Sequence, residues 1–498
     1  MSFAEKSLLE ATVAELHEQM ERGELTAVQL TQYYLERIAA IDTSGPKLNS
    51  VLALNPDALS VAAELDKKDS PVGPLHGIPV LLKANIETGD QLTTTAGSLA
   101  LQGHYAKQDA FLVKQLRKAG AIVLGKANLS EWANFRSSRS SSGWSSEGRQ
   151  THNPYALDRT PCGSSSGSGA SVSANLAVLA VGTETDGSII CPSGINGIVG
   201  IKPTIGLVSR NGIIPLAHSQ DTAGPMARTV ADATIMLAAM VGQDTGDPAM
   251  ANFPDAIPDY IEAAKPSNLQ GLRIGVQRDY AGAGNNPLVE ALFEQAIKTL
   301  EALGAAIIDP VVLDNHDDLR KHENQVLLYE FKADINAYLE SRGHPNGMRN
   351  LEDLIVFNDR HSDLVMPYFG QELFLSAAKK GPLTDEKYLD ALKQSKEMAS
   401  NAINNSGVNA IIAPSNGPAW LVDLHNGDNS KIGSSSLAAV AGFPDITVPM
   451  GFVHELPVGL SIMGPAFTED KLIQIAAAFE QATQARKPPK FLERIELP

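Results

Sequence analysis

Two serine-glycine loops flank a short apolar stretch, and a lysine closes an apolar run well upstream of both. The first loop runs from Pro161 through Cys162, Gly163, Ser164, Ser165, Ser166, Gly167 and Ser168 to Gly169. The second runs from Gly182 through Thr183, Glu184, Thr185, Asp186, Gly187 and Ser188 to Ser193. Gly77, Ile78, Pro79, Val80, Leu81 and Leu82 lead into Lys83, and Val80–Leu82 reads as a buried strand. Such a chain must build an interior sheet that ends in polar turns. It also carries a nucleophile and a base without calling on any histidine.

The rest of the chain fits α/β organisation. Gly23 separates two helical stretches; Thr26 is a good N-cap for the second, in which Leu30, Tyr34, Ile38 and Ile41 recur at helical spacing. Asp109 is expected to cap a helix through Lys118, with Gly120 ending it and Ala121–Leu124 forming the next strand. After Pro266 the alternation repeats: a strand over Leu272–Val276, a helix from Pro287 to Leu303, and a strand over Ala305–Ile308. Residues 310–405 read as mostly helical. Ala410–Pro414 and Ile446–Pro449 read as late strands, covered by a helix near Asp470–Ala482. Residues 134–147 form a serine-rich irregular loop that either frames a site or lies plainly on the surface. No linker divides the chain, so the expected unit is one α/β domain over 1–498. It has a helical N-terminal segment, 1–70, and a helical decoration at about 310–405.

Composition narrows the partners. With 498 residues, 43% hydrophobic and 19% charged, the chain has ample material for a large core. A net charge of −17 repels a phosphate backbone or an anionic membrane, so neither nucleic acid nor a membrane is expected as a partner. The longest apolar run, Ile235–Val241, falls far short of the ~20 residues that span a bilayer. No signal peptide pattern follows Met1, and a cytoplasmic location is expected. The only cysteines, Cys162 and Cys191, are either bridged or two buried thiols; their scarcity favours thiols.

The loops taken singly admit other chemistry. Gly163–Gly167 formally fits a G-x-S-x-G elbow with Ser165 as nucleophile, but residues 151–161 do not read as the strand that an elbow requires. A phosphate loop lacks its Gly-Lys-Ser/Thr ending. Two flexible turns remain the bland reading for either loop alone. The 11 histidines show no metal-ligand spacing, and His76 reads as a packing or hydrogen-bonding residue. Trp132, Trp144 and Trp420 are candidate cleft walls, though each is more often a core residue.

Together, Gly77–Lys83, the Gly-Ser-Ser-Ser-Gly loop, and Gly-Thr-Glu-Thr-Asp-Gly-Ser, with Ser164 and Ser188 spaced 24 residues apart, resemble the amidase signature family. The resemblance continues through Gly194–Thr204, Gly125–Glu131, Asp221–Met226 and Leu456–Leu460, so it spans nearly the whole chain. Glu131–Arg136, Thr183–Ser188, Leu327–Lys332 and Phe369–Leu373 look most like the peptide amidases. Three positions depart from the common pattern: Asp186 stands where a second glycine is usual, Ile190 where arginine is frequent, and Ala84 where an acidic residue is frequent.

The resemblance implies an α/β fold with a large mixed, twisted β-sheet covered by helices on both faces. It implies Ser188 as nucleophile, Ser164 as a bridging serine behind a cis peptide bond to Gly163, and Lys83 as terminal base. Backbone N–H groups of Thr185, Asp186, Gly187 and Ser188 would form the oxyanion hole. Such a lysine works only when neutral, so burial must lower its affinity for a proton by about three pH units, or roughly 4 kcal/mol. No metal or organic cofactor is needed. The expected reaction is hydrolysis of a small-molecule or peptide amide through an acyl-enzyme, with release of ammonia from C-terminal peptide amides. The alternatives are the glutaminase subunit of a tRNA-dependent amidotransferase, which needs a partner subunit, and a non-catalytic binding protein on the same scaffold.

Overall fold

The run that ends at Lys83 is an interior strand, and the sheet around it organises the molecule. In the computed structural model, which describes residues 7–265, 267–313 and 318–496, thirteen strands are present among those residues. They are β1 (Val51–Leu54), β2 (Pro79–Lys83), β3 (Ile122–Ala127), β4 (Trp144–Ser145), β5 (Arg149–Gln150), β6 (Leu179–Glu184), β7 (Val199–Lys202), β8 (Thr222–Ala227), β9 (Arg273–Val276), β10 (Ala306–Ile308), β11 (Ala410–Pro414), β12 (Asp445–Val453) and β13 (Leu456–Met463). Eleven of them form one mixed sheet in the order β1-β3-β2-β6-β8-β7-β12-β13-β11-β9-β10, while β4 and β5 pair separately.

β2 lies parallel to both β3 and β6, and every residue of these three strands is buried. Strands covered on both faces must be apolar throughout rather than alternating, which accounts for the unbroken runs of Val, Leu and Ile. Helices Ser166–Ser173 and Ile190–Ile195 pack on the central strands and on each other, and helices Val230–Met240, Pro287–Ala302 and Glu469–Thr483 form a second group packed on them. A second apolar cluster joins Trp132 and Phe135 to Phe331, Leu351 and Phe374, docking the helices of the 310–405 region beside the sheet. Residues 314–317 of that region lie outside the described residues.

Several elements fall where the pattern places them. Thr26 caps its helix as expected, in a capping box with Gln29, and Thr12 makes a second box with Glu15 that the sequence reading missed. The helix Pro287–Ala302 and the flanking β9 and β10 match the second alternation. Four features differ. Asp109 does not cap the helix Phe111–Lys118: its carboxylate accepts from Gly89 N (2.8 Å) and Arg117 Nε (3.0 Å) instead, leaving Ala110 at the cap. The N-terminal segment is not wholly helical, because Val51–Leu54 satisfies the open edge of β3 as an antiparallel strand. The 134–147 loop is no surface loop: Arg136 is fully buried, ion-paired to Glu131 (3.2 Å) and stacked over Phe369 and Trp144. Finally, Cys162 and Cys191 form a disulfide with Cα atoms 6.0 Å apart, not two thiols. The folded loops bring them together across 29 residues of sequence.

Candidate active site

The parallel register of β2 and β6 sets Leu82 against Val181, so Lys83 and Thr183 emerge together at the same end of the sheet. Lys83 is completely buried, and its Nζ lies 2.7 Å from Ser164 Oγ, 3.0 Å from Thr183 O and 2.8 Å from Thr183 Oγ1. Asn85 Nδ2 donates to the same Thr183 hydroxyl at 3.0 Å. Burial drives the Lys83 amine down from 10.5 to about 7, against the pull of the Asp221 and Glu184 carboxylates in the opposite direction. A neutral amine has two N–H groups and one lone pair. The two Thr183 oxygens can take the hydrogens, which leaves the lone pair for the Ser164 hydroxyl proton.

Ser164 owes its position to the loop before it. The Gly163–Ser164 peptide bond is cis. A Cβ on residue 163 would lie 2.2 Å from Ser130 Oγ, so only glycine fits there. Ser166 Oγ donates to Cys162 O (2.6 Å), and Ser130 N to Ser164 O (3.1 Å), which pins the turn from both sides. Ser165 is fully buried with its hydroxyl donating to Thr183 O (3.0 Å) and accepting from Thr183 N (3.2 Å). It is a fastener between loop and strand, and no strand precedes it, so the elbow arrangement is absent.

Ser188 sits beyond β6, at the start of the turn into the helix Ile190–Ile195. Glu184 accepts from the backbone N–H of Ile189 (2.7 Å) and Ile190 (3.0 Å), folding the chain back on itself around Ser188. Ser165 N donates to Ser188 O at 3.2 Å, which ties the two serine loops together directly. Gly187 has φ +76°, a conformation that suits glycine. None of the four backbone N–H groups from Thr185 to Ser188 donates to another described residue. They form an unpaired set of donors beside the serine.

Ala133 lines two cavities. One, of about 510 Å³, is lined by Gly163, Asp186, Gly187 and Ser188, with Cys162, Cys191 and Trp420 on its wall. The other, of about 450 Å³, is lined by Asn85, Thr183, Thr185 and Asp221 together with Trp132, Ile213 and Ile214. Of the three tryptophans, Trp132 and Trp420 line cavities, whereas Trp144 is packed edge-on against Tyr368 and Phe369. His76 lies apart, accepting from Val72 N through Nδ1 (3.3 Å).

The structure therefore brings Lys83, Ser164 and Ser188 to one place, with Thr185, Asp186 and Gly187 around the last of them. The sequence reading missed Thr183, whose two oxygens hold the amine, Asn85, which donates to the Thr183 hydroxyl, and Asp221. Asp221 accepts from Thr185 Oγ1 (2.6 Å) and from the N–H groups of Leu216 (2.7 Å) and Ala217 (2.9 Å). Burial pushes its carboxyl up to about 6. Thr183 adjoins the serine loop in sequence and was within reach of inspection; Asn85 and Asp221 carry no spacing signal.

A family model described as Amidase matches residues 29–473. The X-ray structure of native peptide amidase from Stenotrophomonas maltophilia superposes with a TM-score of 0.92 at 49% identity, covering 97% of this chain and 99% of that one. A probable amidase of Arabidopsis thaliana is 41% identical over 503 residues, 98% of this chain and 92% of its own length. A glutamyl-tRNA(Gln) amidotransferase subunit from Salinispora arenicola is 33% identical, covering 97% of this chain and 99% of its own length.

Proposed function

Since this chain belongs to the amidase signature family and is an amide-hydrolysing enzyme, we propose that it works through a Ser188–Ser164–Lys83 relay and removes ammonia from C-terminal peptide amides. The observation that carries the relay is the buried Lys83 amine, held by both Thr183 oxygens with Ser164 Oγ at 2.7 Å. A serine hydroxyl needs a base to become nucleophilic, and this lysine is brought close to neutrality by burial. In the proposed cycle Ser188 Oγ attacks the amide carbonyl while its proton passes to Ser164 and the Ser164 proton to Lys83. The carbonyl oxygen becomes an oxyanion that accepts from the unpaired N–H groups of the Thr185–Ser188 turn, which supports placing the oxyanion hole there. The protons return along the same path to the leaving ammonia. Water then attacks the acyl-Ser188 ester by the same route in reverse, freeing the carboxylate. We read residues 1–498 as one domain because the relay draws on strands and loops across the central sheet.

The preference for peptide amides rests on likeness to the peptide amidase at 49% identity, against 33% for the amidotransferase protein. The test is ammonia release from a peptide amide, glutamine and a simple aryl amide, together with labelling of Ser188 by a fluorophosphonate. Turnover of the peptide amide by the protein alone is expected. Glutamine turnover restricted to the presence of a partner subunit would replace this reading with the amidotransferase one.

A further inference from the structure

The turn that would receive the oxyanion is held by side chains from distant parts of the chain, and Asp186 is the centre of that tethering. Thr185 is fixed by Asp221 and by Gln220, whose Nε2 donates to Thr185 O (3.2 Å) and to Glu323 Oε1 (2.9 Å). The Asp186 carboxylate accepts from Ser435 Oγ on one oxygen (2.5 Å) and from Ser436 Oγ on the other (2.7 Å). These serines stand at the start of the helix Ser436–Ala441, 249 and 250 residues away in sequence. Ser435 also lies directly against the next residue of the turn: a Cβ on Gly187 would be 2.9 Å from its Oγ. Glu323, buried on the helix Leu319–Ser341, is a neighbour of Asp186. Burial and the neighbouring Asp186 charge push the Glu323 carboxyl well above the usual range.

This arrangement answers a problem raised by Asp186, which stands where the common pattern has glycine. An aspartate in the turn brings a negative charge next to the place where the reaction generates another. Left free, it would oppose the oxyanion and swing the N–H groups out of line. With a hydroxyl donor on each oxygen, its charge is engaged and its backbone is fixed. We propose that Ser435 and Ser436 are positioning residues for the amide hydrolysis, acting through Asp186 to hold the Asp186–Ser188 N–H groups on the oxyanion. The inference rests on the reading of Ser188 as nucleophile given above.

Such a role has a kinetic signature. The clamp acts on a charge present only in the transition state, so its loss lowers kcat and spares KM. In the Ser435→Ala/Ser436→Ala enzyme, kcat for a peptide amide is expected to fall about 10- to 100-fold, the scale of a small misplacement of catalytic groups. KM should stay within about twofold. Affinity for a peptide aldehyde, which forms an oxyanion on Ser188, should fall by the same factor as kcat. The single variants Ser436→Ala and Ser436→Thr extend the test should the double variant fold poorly: the alanine should lower kcat and the threonine, which keeps the hydroxyl, should restore it. A double variant with unchanged kcat, or with a raised KM alone, overturns the clamp while leaving the nucleophile in place. Equal kcat in Ser436→Ala and Ser436→Thr does the same. A wild-type protein that hydrolyses no amide and takes no label at Ser188 overturns both the clamp and the reading beneath it.

Discussion

Replacing Lys83 with methionine removes the charge and keeps the length of the side chain, and it should trade activity for stability in a pH-dependent way. In the unfolded chain the amine keeps its proton up to about pH 10.5, whereas in the folded protein it loses it near 7. The unfolded state therefore binds more protons across that window, and stability rises with pH through it. At 1.36 kcal/mol per pH unit, the buried lysine costs about 5 kcal/mol at and below pH 7 and nothing above about 10.5. Methionine removes this cost, but it leaves Thr183 O and Thr183 Oγ1 without the amine they now meet at 3.0 and 2.8 Å. Those lost partners set a penalty of about 1–3 kcal/mol. Lys83→Met should thus be more stable than the wild type by about 2–4 kcal/mol at pH 7 and less stable near pH 10.5, crossing over between about pH 8.5 and 10. Its kcat/KM should fall by about 10²–10⁴, the worth of a positioned base. The assay is the urea unfolding midpoint of both proteins at pH 7 and pH 10 at fixed ionic strength, with ammonia release measured alongside. A stability offset of the same sign and size at both pH values would refute the neutral, buried lysine. Retained activity would refute its role as base.

Further outcomes are expected from the same geometry. Wild-type kcat/KM should decline tenfold per pH unit below about 7 as Lys83 gains its proton, and Asp221→Asn should move that limb to lower pH, because the Asp221 charge favours the protonated amine. A limb that moves up, or not at all, contradicts the pairing. Gly187→Ala should cut kcat by about 10²-fold, since φ +76° and a 2.9 Å approach to Ser435 Oγ both resist a side chain; near-normal turnover would mean the turn is slack. The Cys162–Cys191 bridge closes a 29-residue span, so its reduction should lower the unfolding free energy by about 3.5 kcal/mol, read as a drop in urea midpoint with two thiols newly open to alkylation. An unchanged midpoint after complete reduction would count against a structural role.

Periodicity and burial pattern made much of the scaffold legible. The apolar runs of β2, β3 and β11 read as strands and are fully buried, and Thr26 reads directly as a helix start. What escaped were strands with weak local preference, such as Thr222–Ala227, which contains both glycine and proline and is held in place by β6 and β7 rather than by its own propensity. β1 escaped for a related reason: four residues in a helical neighbourhood pair only because β3 presents an open edge. Asp109 shows the converse, a good capping residue drawn off by Arg117 and a backbone N–H from another segment.

Motif and resemblance nominated the candidate residues: a lysine closing a strand, two serines in glycine-rich turns, and the aspartate that departs from the common pattern. Those identities rest on the resemblance to the amidase signature family, carried by the motifs and by the 24-residue spacing of Ser164 and Ser188; taken singly, either loop reads as a flexible turn. The surroundings of these residues exist only in the assembled fold. Proton affinity depends on what excludes water, and Lys83 is shifted down because strands from across the chain bury it, against the pull of the Asp221 and Glu184 carboxylates. The partners of Asp186 lie some 250 residues away, and the two cysteines meet across the site. Distances of a few ångströms between residues far apart in sequence carry no trace in composition or spacing; they exist only once the sheet is assembled.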